Sequence, residues 1–203
     1  MRRAIVLMAL VLAACQSKEP EQAARDGEAQ QASAVAESPA AASTSATEAP
    51  ATALALDVEG LRLVPDGGAT RLLAFGIPRA QAEQVLGGTF RDPPLRTRVG
   101  ECGAGPMEFT AYGPLQLNFE GGNFVGWYLN GSGGPSTIDG LGIGSTRAQV
   151  RSSRTLTMIE DSTLGEEFTL GKITEANIGG FFDAPGANTK VSQLFAGINC
   201  FFR

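Results

Sequence analysis

Side chains that could act as acids, bases or nucleophiles are few in this chain. It contains no histidine, which removes the commonest general base, the usual acyl-transfer triads and most zinc sites. A predicted turn near Gly165 gathers four carboxylates, Glu160, Asp161, Glu166 and Glu167, and a pair of carboxylates could hydrolyse a glycosidic bond. Neighbours on a strand point to opposite faces, however, so Glu166 and Glu167 do not form a pair. A solvated turn explains the cluster, and we expect no catalytic residue and no enzyme.

A glycine-rich segment imitates a cofactor site. Residues 140–145 carry three alternating glycines before a predicted helix, and two acids follow further on, which is the layout of a dinucleotide-binding fingerprint. Ser145 stands where the third glycine of that fingerprint belongs, and a turn-rich loop, not a buried strand, precedes the segment. We therefore expect no cofactor and no metal site. The net charge of −5 argues against a nucleic-acid partner.

The start of the chain has the layout of an export signal. Arg2 and Arg3 precede a short apolar run over residues 4–12, as in a secretory signal peptide. Residues 12–15, Leu-Ala-Ala-Cys, resemble the bacterial lipobox, which implies cleavage before Cys15 and acylation of its thiol. Gln16 follows, and the resemblance to lipoproteins then implies the outer membrane, facing the periplasm, over the inner membrane. The alternative is an ordinary cleaved signal with a cysteine near its end by chance.

The attachment to the membrane is expected through lipid alone. A bilayer core takes about 20 apolar residues to cross, and neither the run over 4–12 nor any later run reaches that length. If Cys15 carries lipid, Cys102 and Cys200 remain as an even pair in an oxidising compartment, which favours a disulfide between them. Two buried free thiols are the alternative.

Residues 16–53 have the composition of a disordered tether. They contain no aromatic, leucine, isoleucine or methionine residue, and Val35 is their only sizeable apolar side chain. Such a segment cannot bury enough apolar surface to offset its ordering entropy. We assign residues 1–14 to the signal peptide, 15–53 to the lipidated cysteine and the tether, and 54–203 to one globular domain.

The globular domain is predicted to be α+β. Short alternating apolar runs separated by glycine-rich turns indicate antiparallel strands. The clearest hairpins pair residues 60–64 with 70–75, 115–119 with 124–129, and 178–182 with 191–195. Two short segments have helical signals instead, 78–86 with proline at its start and 146–153 with a capping box from Thr146 and Gln149.

The two predicted helices begin alike. Residues 76–81, Gly-Ile-Pro-Arg-Ala-Gln, align with residues 144–149, Gly-Ser-Thr-Arg-Ala-Gln, and strands follow each. We predict two similar units, about 72–130 and 141–203, each a short helix packed on antiparallel strands. A β-hairpin and the tether precede them. Chance similarity is the alternative.

These helix starts, each followed by a strand meander in a small lipoprotein, resemble the outer-membrane assembly lipoproteins of the SmpA/OmlA type. The tandem arrangement with cysteines is also similar to the β-lactamase-inhibitor-protein fold. The resemblance implies helices packed on a sheet in each repeat. This chain is longer than the assembly lipoproteins, duplicated and tethered.

The sole tryptophan lies in a predicted strand, residues 124–129. Strand alternation puts Val125, Trp127 and Leu129 on one face, which we expect to be the core; an exposed recognition patch at Trp127 and Tyr128 is the alternative. We expect a lipid-anchored cell-envelope protein that acts as a non-catalytic interaction module, with the membrane and an envelope protein or cell-wall component as partners. A periplasmic inhibitor or ligand-binding module is the alternative, and a carboxylate-based hydrolase comes after it.

Overall fold

The computed structural model describes residues 52–172 and 175–201. The signal peptide, Cys15 and nearly all of the predicted tether lie outside these residues. The described part is mostly β-sheet with two short helices, so the predicted α+β class is confirmed at that level. The helices are α1 (Arg79–Gly87) and α2 (Arg147–Ser153). The strands are β1 (Thr52–Asp57), β2 (Gly60–Pro65), β3 (Arg71–Ala74), β4 (Leu95–Cys102), β5 (Gly105–Tyr112), β6 (Leu115–Glu120), β7 (Asn123–Asn130), β8 (Ser136–Thr137), β9 (Leu156–Met158), β10 (Glu167–Leu170), β11 (Ile178–Phe182) and β12 (Val191–Gly197).

Two sheets organise these strands. The larger has eight strands in the order β4-β5-β6-β7-β12-β11-β10-β9, and all its neighbours are antiparallel. The smaller has the order β3-β2-β1-β8, with β1 and β8 parallel. The pairing of β7 with β12 joins the first meander to the second, and among the described strands no other ladder connects them.

Local signals placed the helices and hairpins correctly. All three predicted hairpins form, as β2–β3, β6–β7 and β11–β12. The capping box at α2 is present: the Gln149 backbone N–H donates to the Thr146 hydroxyl, and the Thr146 backbone N–H donates to the Gln149 side chain. Pro78 was expected at the first helical position of α1, but it is the N-cap and the helix begins at Arg79. The helix ends at Gly87, and Gly88 is its C-cap.

Strand β1 lies partly within the segment assigned to the tether. It starts at Thr52, two residues before the expected start of the domain, and pairs with β2 along its whole length. Leu56 is buried there in the same core as Leu61 of β2. The alternation Thr-Ala-Leu-Ala-Leu-Asp follows directly on the alanine-rich composition of the tether, which concealed it as a strand signal.

One apolar core joins both sheets and both helices. Trp127 is completely buried in it, and its indole N–H donates to the Asp57 backbone carbonyl at 2.9 Å, which ties β7 to the small sheet. Ala82 and Leu86 bring α1 into this core, and Val150 brings α2. The helices and the small sheet therefore cover one face of the eight-stranded sheet. None of the described helices is long and apolar enough to cross a membrane.

Candidate functional site

The other face of the eight-stranded sheet carries the candidate site. In β6, Leu115, Leu117 and Phe119 are buried in the core, so Gln116 and Asn118 point to the opposite side. The ladders extend this side to Phe109 on β5 through its pairing with Asn118. We call this side of the sheet the open face.

The C-terminal segment 198–201 crosses the open face. Asn118 is fully buried, and its amide N–H₂ donates to the Ile198 carbonyl at 2.9 Å and to the Asn199 side chain at 2.8 Å. Gln116 donates to the Asn118 side-chain oxygen at 2.9 Å. A buried amide left without partners costs about 1–3 kcal/mol, so this network holds the segment in place.

A close approach of backbones accompanies this crossing. A Cβ on Gly126 would lie 2.2 Å from the Ile198 carbonyl oxygen, and one on Gly197 would lie 2.2 Å from the Val125 carbonyl oxygen. Both distances are impossible for a side-chain carbon, so glycine at 126 and 197 lets the chain turn back across the sheet.

A disulfide fastens the same segment. Cys102, at the end of β4, and Cys200 lie with their sulfur atoms at bonding distance and their Cα atoms 5.1 Å apart, within the usual range for a disulfide. This is the pairing expected from the sequence. Met107, Phe109 and Val125 pack around it as a small second apolar cluster.

Aromatic rings continue the contact beyond the disulfide. The ring centroid of Phe201 lies 4.8 Å from that of Phe195, 5.9 Å from Phe181 and 6.1 Å from Tyr128. These distances and the edge-on angles are those at which aromatic pairs attract. The Tyr128 hydroxyl donates to the Gln193 side chain at 2.6 Å, and burial raises the pKa of that hydroxyl.

Between this segment and strands β4–β7 lies a groove of about 370 Å³. Its lining residues are Thr97, Val99, Phe109, Gln116, Tyr128, Asn199, Cys200 and Phe201. They offer apolar and aromatic surface with hydroxyl and amide groups, and none of them is a carboxylate or a cationic side chain. The groove can therefore hold an apolar or aromatic group oriented by hydrogen bonds.

The sequence-predicted binding pair divides between the two faces. Tyr128 lines the groove, whereas Trp127 is in the core and cannot touch a partner in this fold. Val125 was expected beside Trp127 in the core, but a β-bulge pairs Asn118 with Gly126 and Phe119 with Phe124. The extra residue reverses the alternation at Val125, which packs near the disulfide instead.

A charged cluster on the helix-covered side braces β4 against α1. Glu83 accepts hydrogen bonds from Arg79 Nε at 2.8 Å, from Arg96 Nη2 at 2.8 Å and from the Thr110 hydroxyl at 2.6 Å. Arg79 also pairs with Glu108 at 2.9 Å. The hydrogen bonds from Arg96, and then from Thr110 and Arg79, lower the pKa of Glu83 from 4.5 to about 2 against the opposing effect of burial.

Of the four carboxylates that could have suggested hydrolysis, three line one hollow and the fourth is buried beneath the surface. Glu160, Asp161 and Glu166 line a shallow hollow of about 500 Å³ beside Arg147, which pairs with Glu166 at 3.3 Å. Glu167 is buried and accepts a hydrogen bond from Ser162. Within residues 52–172 and 175–201, no three potential metal-ligating side chains converge.

The groove itself was not anticipated. Six of its lining residues were not singled out, because they come from segments about 100 positions apart in the chain: Thr97, Val99, Phe109, Gln116, Asn199 and Phe201. The cysteine pair was the one available signal, since a bridge to Cys200 brings the C-terminal segment to β4. Comparisons with protein families, with characterised proteins and with solved structures find no match to this chain.

Proposed function

We propose that this protein is a lipid-anchored cell-envelope interaction module, not an enzyme, and that it binds an envelope protein or a cell-wall component at the groove of the open face. The groove carries this proposal. It combines aromatic walls with hydroxyl and amide groups and contains no acid–base pair. Leu95, Val99 and Ile198, exposed at 67%, 36% and 40%, are three of the four large apolar side chains exposed among the described residues. Val99 lines the groove, Leu95 lies on the same strand, and Ile198 lies in the crossing segment.

The proposed location rests on the N-terminal sequence. Acylation at Cys15 would anchor the chain, and Gln16 favours the outer membrane, facing the periplasm. Residues 16–51, which precede β1, would then act as the tether between the lipid and the domain. A flexible chain of that length spans roughly 30–40 Å, so the groove could reach partners beyond the membrane surface.

We also propose that the domain is a tandem of two similar units, about 72–130 and 141–203. The strand order supports this, because β7 and β12 lie at the centre and β6-β5-β4 and β11-β10-β9 extend outwards in matching sequence. Each helix is followed by four strands of this sheet. The second unit thereby repeats the order of the first in the opposite direction across the sheet.

Matching hydrogen bonds at the helix entries support the same proposal. The Gly76 N–H donates to the Phe124 carbonyl at 2.7 Å, and the Gly144 N–H donates to the Val191 carbonyl at 2.7 Å. Gly76 and Gly144 have φ angles of 93° and 89°, in the region that favours glycine. Phe124 belongs to β7 and Val191 to β12, the strands that correspond.

The first arginine of each helix makes a matching contact. The Arg79 guanidinium carbon lies 5.1 Å from the Phe119 ring centroid, and that of Arg147 lies 4.6 Å from the Phe182 centroid. These are cation–π distances. Phe119 is on β6 and Phe182 on β11, which are again corresponding strands. These equivalent tertiary contacts support the two-unit proposal over chance similarity of the two hexapeptides.

The tandem arrangement resembles that of β-lactamase inhibitor proteins, and single units resemble SmpA/OmlA-type lipoproteins. The alternative function, a periplasmic inhibitor or ligand-binding module, is favoured by the way segment 198–201 walls the groove. A hydrolase is disfavoured because the carboxylate of Glu166 is ion-paired with Arg147. Glu160 and Asp161 are exposed to solvent and do not form a buried acid–base pair.

Site-specific photo-crosslinking in intact envelopes tests the proposal. A photoreactive amino acid at Thr97, in the groove, should capture one partner, and the same amino acid at the exposed Ser152 of α2 should not. The acylated full chain is used, so that the partner is sampled where the protein resides. Identical products from both positions, or none from Thr97, would show that the groove is not the binding surface.

A further inference from the structure

Strand β4 is an outer strand of the eight-stranded sheet and is unusually exposed. Seven of its eight residues, Leu95 to Glu101, are exposed, and only Cys102 is buried. On one side β4 pairs with β5, and within the described residues no strand pairs with its other side. Such an edge presents unpaired backbone N–H and C=O groups to any chain that can lie beside it.

The part of the β4 edge that can pair with another strand has defined ends. Pro93 and Pro94 precede it and cannot donate backbone hydrogen bonds. At the other end, the β4–β5 register shifts between Val99 and Cys102. Regular pairing therefore covers residues 95–99, a length of about 16 Å at the rise of a strand.

Alternation gives this edge two chemically different sides. Thr97 and Val99 line the groove. Arg96 and Arg98 point to the helix-covered side, where Arg96 is engaged by Glu83. Arg98 is exposed and makes no ion pair with any described residue.

We infer that the edge of β4 binds an extended peptide in which apolar and acidic residues alternate. Backbone hydrogen bonds to residues 95–99 would add the peptide to the sheet as a ninth strand. Its apolar side chains would then lie over the groove beside Thr97 and Val99, and an acidic side chain would face Arg98. This inference rests on the proposed function, since it names the kind of partner that the groove would receive.

The unpaired state of Arg98 decides the class of occupant. On the helix-covered side, Arg79 and Arg96 are ion-paired with Glu83 and Glu108. Arg98 lies opposite Glu108 and lines a hollow with Glu108 and Glu120, but neither carboxylate is within ion-pair distance of it. A carboxylate on the added strand would give Arg98 the ion-pair partner that it lacks among the described residues.

A second copy of this chain is a poorer occupant. If two copies of β4 paired antiparallel about Thr97, Arg96 of each would lie opposite Arg98 of the other, and a pairing about Arg98 would place the two Arg98 side chains face to face. Like charges directly opposite on a sheet are destabilising.

A peptide of alternating valine and glutamate, blocked at both ends, is the direct probe. We expect it to bind the full mature chain in detergent micelles and to slow hydrogen exchange at residues 95–99. A peptide with lysine in place of glutamate should bind roughly tenfold more weakly. A peptide methylated on alternate backbone nitrogens should not bind, because it lacks the donors that pair with the edge.

Two protein variants make the same change of charge, arginine to glutamate, at different positions. Arg98→Glu should weaken binding of the glutamate peptide roughly tenfold and strengthen that of the lysine peptide. Arg151→Glu, on the exposed surface of α2, changes the net charge equally and should leave both affinities unchanged. Neither arginine makes an ion pair with a described residue. Because Arg98 lies opposite Glu108 in the β4–β5 register, Arg98→Gln is added as a variant that brings no like charge to that position, and it too should weaken binding of the glutamate peptide.

Three results would overturn the inference. Equal binding of the two peptides would remove the charge argument, and protection at another segment would remove the edge. Alternate amides of residues 95–99 already bond to β5. Protection of the remaining amides of this stretch before any peptide is added, whether by a dimer or by the chain's own acidic segment 16–51, would give the edge a different occupant. If photo-crosslinking from Thr97 succeeds while the peptides fail, the proposed function stands and only the edge inference is wrong; if both fail, the groove is not a binding surface.

Discussion

Replacing Glu83 with glutamine should destabilise the domain in a way that depends on pH. Glu83 accepts hydrogen bonds from both Arg79 and Arg96 and from Thr110, so one carboxylate joins α1 to β4 and β5. Glutamine keeps the size of the side chain but removes its charge. It also points an N–H₂ donor at the guanidinium groups of Arg79 and Arg96, which are themselves donors and cannot accept a hydrogen bond.

The pKa of Glu83 sets the magnitude. A pKa lowered from 4.5 to about 2 corresponds to at most about 3 kcal/mol of stability at neutral pH. Water reaches part of the cluster and screens it. We therefore expect the glutamine variant to lose about 1–2 kcal/mol of unfolding free energy at pH 7.

The direction in which stability changes with pH follows from the lowered pKa of Glu83. Because the pKa of Glu83 is lower in the folded chain than in the unfolded chain, its contribution is complete above the unfolded value of 4.5 and is lost as the pH falls towards about 2. The wild-type and Glu83→Gln proteins should thus differ most at neutral pH and converge at about pH 2. Urea unfolding at a series of pH values, followed by tryptophan fluorescence, measures this difference.

The matched control is Glu59→Gln. Glu59 is exposed in the β1–β2 turn, and its carboxylate makes no ion pair with a described residue. The unfolding free energy of the Glu59→Gln variant should follow that of the wild-type protein across the pH series. If Glu83→Gln costs the same at about pH 2 as at pH 7, then the loss comes from packing and the electrostatic reasoning is wrong.

Three further outcomes are expected. Non-reducing peptide mapping should recover Cys102 bonded to Cys200, and replacing both with serine should cost roughly 4–5 kcal/mol in the chain-entropy model for a separation of 98 residues; two alkylatable thiols would contradict this. Trp127→Phe should cost about 1–3 kcal/mol, because it leaves the Asp57 carbonyl without its donor and opens a cavity; solvent-exposed emission from wild-type Trp127 would contradict the buried position. The mass of the membrane-extracted protein should correspond to a chain that starts at Cys15 with acyl groups, and an unlipidated chain retaining Met1 would refute the lipobox assignment.

Sequence reasoning succeeded where the signal is local. The capping box at Thr146 and the turn residues between β6 and β7 are contained within a few positions, and each favours one backbone geometry. It failed at β1, where an alternation of only two leucines follows an alanine-rich segment. It also failed at Val125, since a single bulge exchanges the two faces of a strand and leaves no mark in the alternation itself.

The groove was out of reach for a different reason. Its floor comes from β4–β7 and its wall from residues 199–201, so no window of the sequence contains both. Cys102 and Cys200 predicted that the segments meet, but not that Phe201 would pack on three other rings. Contacts of that kind depend on the strand order of the whole sheet.

The position of β12 has a consequence for how the chain acquires its structure. Of the described strands, β12 comes last in the sequence, yet it lies in the middle of the eight-stranded sheet. Its pairing with β7 is the one ladder among these strands that connects β9–β11 to β4–β7. When the chain is made from its N-terminus onwards, β4–β7 can pair with one another first. Strands β9–β11 cannot join that sheet until residues 191–197 are available to form β12. Pairing of β9–β11 with the sheet of β4–β7 therefore waits until residues 191–197 are free to pair with β7.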